Sequence, residues 1–101
     1  MHKKINLNEL IRFSSEEVVA DGLHESVNFR STIINMSAGM KIKGHAAPEA
    51  IFYIIKGEGS IIVGEEEIPA KAGDFVVTPS AIPHAVQADT DFSFFIVVGN
   101  Q

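Results

Sequence analysis

Residues 73–88 read GDFVVTPSAIPHAVQA, and the fold turns on them. Two β-prone runs, expected as strands near 74–78 and 83–88, flank a short segment bounded by Pro79 and Pro83. Proline has no amide proton to give to a ladder, so these two mark strand ends and bracket a loop. The unit is a strand opened by Gly73, a proline-bounded loop, and a second strand that carries His84 directly after the loop.

The same bias runs outward through the chain. Isoleucine and valine together number 22 and leucine only three, a preference for side chains that are stiff at χ1 and pack well on a pleated surface. From Val27 onward, turn residues recur every eight to twelve positions, and further strands are expected near 27–37, 41–45, 50–56, 59–64, 66–69 and 92–98. Lys56-Gly57-Glu58-Gly59 and Gly64-Glu65 supply glycine where a tight turn needs positive φ, which predicts consecutive antiparallel hairpins. The pattern is that of an all-β sandwich or barrel. With 101 residues the chain is expected to be one domain, a barrel over 27–101 with an N-terminal arm over 1–26 packed against it. Within the arm Leu7, Leu10 and Ile11 recur at helical spacing, Ser14 to Glu17 resemble a cap and first turn, and Asp21-Gly22 marks a turn. A one-turn helix and an edge strand are both compatible with it.

Charge and composition exclude several functions. The net charge is −5, with only Lys3 and Lys4 adjacent among the scattered basic residues, so a nucleic-acid polyanion is repelled. Apolar runs as short as Ile51 to Ile55 fall far below the ~20 residues of a spanning helix, and MHKKINLNEL has no apolar stretch of the kind a signal peptide needs. The expectation is a cytoplasmic protein with neither nucleic-acid nor membrane partners. Cysteine is absent, which leaves histidine, carboxylate and water as the available metal ligands.

Gly73, Pro79 and His84 stand at the spacings of the second conserved motif of the cupins, and Gly39, His45 and Gly57 fit the first. The 15 residues between Gly57 and Gly73 match the short inter-motif spacing of small cupins. Residues 39–88 therefore resemble that family, and the resemblance implies a double-stranded β-helix or jelly-roll barrel, often a dimer and often holding a divalent metal. Ala81 stands where the second motif has its second glycine, and Ala88 where it has asparagine. Counted from Gly39, the second histidine of the first motif falls on Ala47, and counted back from Gly57 its glutamate falls on Ala50. In the alternative register His45 takes the second histidine position and Lys43 the first. Either way His45 and His84 are the ligands carried over from the family's usual four.

Glu49 is the one further candidate ligand. Positions 45, 47 and 49 share parity, so a continuous strand would project Glu49 to the side of His45 and turn Ala50 away, although Pro48 between them invites a bend. His45, Glu49 and His84 would then form the two-histidine, one-carboxylate set that suits iron or manganese, with nickel and zinc as other metals of the family. The remaining histidines have plainer readings: His2 lies near the terminus and His24 follows a turn, both solvent-exposed. Glu65 to Glu67 form a solvated turn. Phe94 and Phe95 must face opposite sides of a strand, one in the core and the other free to cover a subunit interface.

Two functions follow from this reading. In the first, the alanines leave a roomier, more apolar barrel with no tightly bound metal, in which His45 and His84 hydrogen-bond a small molecule and Met36, Met40, Phe52, Tyr53 and one terminal phenylalanine line its site. In the second, a metal held by His45, His84 and Glu49 supports dioxygenase, isomerase or decarboxylase chemistry. A metal-free enzyme using either histidine as acid or base is a third. No catalytic residue is assigned. Exposed strand edges and the family resemblance make a homodimer the expected assembly.

Overall fold

A computed structural model describes residues 2–99, and within them every side chain except that of His45. After a 3₁₀ turn at Leu7–Leu10, nine strands follow: β1 Val19–Glu25, β2 Phe29–Met36, β3 Lys41–His45, β4 Ala50–Lys56, β5 Glu58–Val63, β6 Glu66–Lys71, β7 Phe75–Thr78, β8 His84–Ala88 and β9 Phe92–Gly99. They form two antiparallel sheets, one in the order β1-β2-β9-β4-β7 and the other β3-β8-β5-β6. This is the all-β jelly roll expected from the sequence.

The period-two alternation of each strand builds the core. Ala50, Phe52 and Ile54 of β4 face inward beside Phe92, Phe94 and Val98 of β9 and Met36 of β2, against Ile61, Ala70, Val86 and Ala88 of the other sheet. A column of rings runs through this interior. Phe92 and Phe94 have centroids 5.4 Å apart, Phe94 and Phe52 5.6 Å, and Phe52 and His84 5.6 Å. Phe92 and Met36 fill one end of the barrel, whereas Arg30, Val98 and Ala50 form the last inward row at the other. No helix among the described residues is long and apolar enough to cross a membrane.

Three local expectations are corrected. Lys56 to Gly59 is not a hairpin: β4 and β5 lie in different sheets, and the turn is a corner between them. Gly57 sits at φ +85, where a Cβ would collide with the carbonyl of Asp91, so the corner is wedged against the β8–β9 connection. Gly64-Glu65 does close a hairpin, joining β5 to β6. Asp21-Gly22 is not a turn but lies inside β1, where the register against β2 slips between Gly22 and His24 as a bulge. Ser14 to Glu17 form no helix; the Ser14 hydroxyl accepts from the amide of Glu16 in a bend.

The arm crosses the outer face of the five-stranded sheet. Asn35 Nδ2 donates to the Leu10 carbonyl (3.0 Å), Ser37 Oγ donates to the Ser14 carbonyl (2.6 Å), and Arg12 makes a two-pronged ion pair with Asp21 (2.9 Å). Asn35 and Ser93, both outward-facing, are thereby buried.

Candidate functional site

At the end of the barrel opposite Phe92 the sheets part around a cavity of about 210 Å³. Eight of its eleven lining residues are apolar: Ile34, Ile42, Ala47, Phe52, Val86, Phe94, Ile96 and Val98. The other three are Arg30, Thr32 and His84. Each polar group is placed by strand alternation. Arg30 and Thr32 share the face of β2 that carries Ile34 and Met36, and His84 shares the face of β8 that carries Val86 and Ala88.

His84 is 9% exposed, at the first position of β8. Its imidazole stands edge-on to Phe52, planes at 88°. Immediately before it, the Pro83 carbonyl accepts from Gly64 (2.8 Å), which fixes the start of the strand. The mouth beside it is made by two loops tied together: Ala81 donates its amide to the Ala47 carbonyl (3.0 Å), and the Glu49 amide donates to Ser80 Oγ (3.2 Å).

His84 and Phe52 line the cavity, and of the phenylalanine pair Phe94 lines it while Phe95 faces outward. His45 ends β3, its backbone paired in register with His84; its side chain lies outside the described residues. Tyr53 does not line the cavity. It projects to the outer face of β4, its ring 5.6 Å from Phe95. Met40 packs half-buried against the core, and Met36 is wholly within it; neither lines the cavity.

The continuous strand that would carry Glu49 to the side of His45 is not formed. β3 stops at His45, residues 46–49 run as a loop, and Glu49 borders a separate pocket on the outer face with Phe29, Ile51, Val97 and Gly99. Ala50, expected to turn away, instead faces the core at 1% exposure. Among the described residues no three His, Asp or Glu side chains converge on a point where a metal would sit. His2 and His24 are exposed, the latter against Phe29 at 5.3 Å.

Sequence reasoning missed Arg30. The signal was present: in FRSTIINM, Arg30 has the parity of the core-facing Ile34 and Met36. It belongs to the cavity wall although it is exposed to solvent.

The cupin domain family matches residues 33–98. An RmlC-like cupin protein from Desulfovibrio desulfuricans is 31% identical, with 99% of this chain and 98% of that one covered and a TM-score of 0.89. A cupin 2 conserved barrel domain protein from Leptotrichia buccalis is 30% identical over 94% of this chain and 47% of its own, with a TM-score of 0.88. The fold is also shared with a salicylate 1,2-dioxygenase from Pseudoaminobacter salicylatoxidans, at 21% identity over 82% of this chain and 26% of that one, TM-score 0.75. No curated protein matches.

Proposed function

The chain belongs to the cupin domain family, and from that premise we propose that it is a small-molecule-binding barrel without the family's complete four-ligand metal site. The observation that carries the reading is the cavity itself, an apolar chamber of about 210 Å³ with a few polar groups on its wall, the usual composition of a site that holds a small organic molecule. In both registers of the family's first motif Ala50, beside the cavity in the core, occupies the glutamate position, and in one of them Ala47 of that wall occupies a histidine position. A methyl group has no lone pair to give, and it widens and dries the chamber instead. His84 supplies a hydrogen-bonding group to a ligand's carbonyl, carboxylate or hydroxyl. The role is that of a sensor, carrier or accessory subunit.

A second reading is a metal-dependent enzyme of the dioxygenase, isomerase or decarboxylase type. The register that sets His45 opposite His84 favours it, while the placement of Glu49 on the outer face opposes it. Elemental analysis of tag-free protein, before and after anaerobic reconstitution with iron or manganese, separates the two. The binding-barrel reading expects far less than one metal per chain. Near-stoichiometric metal that is lost in His84→Ala would overturn it.

The assembly belongs to the same proposal: a second copy of the chain covers the outer face of the five-stranded sheet. There the rows Phe75–Tyr53–Phe95 and Val77–Ile51–Val97 run side by side. The rows themselves are apolar, with Glu49 at their border beside Ile51 and Val97, and Phe75, Val77 and Tyr53 in them stand exposed.

A further inference from the structure

We infer that the cavity selects a small monocarboxylate with an apolar body, its carboxylate held at the mouth by Arg30. The inference rests on the binding-barrel reading and names the ligand class of that site.

Among the described residues Arg30 is the only cationic side chain on the cavity wall, and no described carboxylate lines it. Glu25 lies directly across the β1–β2 ladder from Arg30, yet among the described residues Arg30 closes no ion pair; the one formed is Arg12 with Asp21. Arg30 therefore borders the apolar chamber, and beside it the outer depression lined by Lys3 and Glu25, with its planar guanidinium donors available for a carboxylate taken in two-pronged fashion. Thr32, two residues along the same face, brings a hydroxyl to the same wall.

Volume fixes the size of the body. An apolar cavity of ~150 Å³ accommodates benzene, so the chamber of about 210 Å³ takes one six-membered ring or a short branched chain and leaves space for one small polar substituent. Ile34, Ile96 and Phe52 supply the apolar contact, and a dianion would meet one guanidinium on a chain of net charge −5. One charge and one small apolar body describe the ligand.

The test is isothermal titration of the full chain at neutral pH with three probes of similar size: benzoate, its neutral isostere benzamide, and toluene. The expected result is benzoate bound at least about tenfold tighter than benzamide, roughly 1.4 kcal/mol. In Arg30→Met, which keeps an apolar stem, that preference falls to below about twofold. Raising salt from ~0.05 to ~0.5 M weakens benzoate and leaves benzamide unchanged, a readout on the unaltered protein that holds even where the variant folds poorly. Benzamide or toluene bound as well as benzoate, or a benzoate preference that survives in folded Arg30→Met, overturns the carboxylate assignment and leaves the barrel a binding site. Failure of all three probes to bind overturns the binding-barrel reading with it.

Discussion

The imidazole of His84 meets the ring of Phe52 edge to face, centroids 5.6 Å apart and planes at 88°. Phe52 is 1% exposed and also lies 5.6 Å from Phe94, so it is the hinge between the filled end of the barrel and the cavity. Truncation to alanine should cost about 3–5 kcal/mol through the void it leaves. Phe52→Leu restores most of the volume without the ring contacts and should cost about 1–2 kcal/mol. Urea unfolding of both variants checks this; a Phe52→Leu variant as stable as the parent would mean that the pairing with His84 and Phe94 contributes nothing beyond filled space.

Asn35 and Ser93 form a buried polar pair on the outer side of the sheet, Ser93 Oγ donating to Asn35 Oδ1 at 2.7 Å while Asn35 Nδ2 donates to Leu10. Both are 0% exposed because the arm lies over them. Asn35→Ala strands the Leu10 carbonyl and the Ser93 hydroxyl together and should cost about 2–4 kcal/mol. Ser93→Ala should cost about 1–2 kcal/mol, and the double variant less than the sum, since removing both partners leaves fewer groups unmatched. Additive losses in a double-mutant cycle would contradict this. Proteolysis near Leu10 should rise in Asn35→Ala as the arm lifts.

Most strands were legible because their boundaries are written locally. Pro79, Pro83 and the Gly64-Glu65 turn punctuate runs of alternating apolar residues, and β3 and β4 fall at 41–45 and 50–56 as expected. What was not legible depends on contacts between distant residues. The turn at Gly57 is visible in sequence, but that β5 joins the other sheet follows from its wedging under Asp91, 34 positions away. Glu49 left the expected face because Ser80 and Ala81 hold the 46–49 loop across the mouth. Tyr53, expected to line the site, is assigned to the outer face by the inward parity of Phe52 and Ile54. The same parity rule places Arg30 on the cavity wall.

Ala81 has φ +68, the only non-glycine residue among those described with positive φ, at the position where the family motif has glycine. The chain kept the left-handed backbone and lost the residue that adopts it without strain. An alanine there costs about 1–2 kcal/mol in the folded state, partly offset by the greater freedom glycine gains when unfolded. Ala81→Gly should therefore stabilise the protein by about 0.5–1 kcal/mol, a rise in Tm of several degrees for a domain of ~100 residues. Ala81→Val, branched at Cβ, should destabilise it. A glycine variant that melts lower than the parent would show that the loop does not hold this conformation in solution.

Phe75 is 64% exposed, Val77 50% and Tyr53 38%, and they adjoin Ile51, Phe95 and Val97 on one apolar face that Glu49 borders. Singly exposed apolar side chains are ordinary on a protein surface, but two complete rows across three neighbouring strands are the kind of patch that another surface covers. Burying Phe75 against a copy removes a ring that stands largely in water, and the two-fold operation applies the gain twice. Light scattering on eluted protein should give the mass of two chains at micromolar concentration. Phe75→Glu combined with Tyr53→Glu places two carboxylates in each face, and thus four across the two-fold contact, and should yield one-chain mass with an unchanged far-ultraviolet spectrum. These side chains point away from the cavity, so benzoate affinity in the doubly substituted protein should stay within about twofold of the parent. One-chain mass for the unaltered protein at every concentration would remove the second copy from this face.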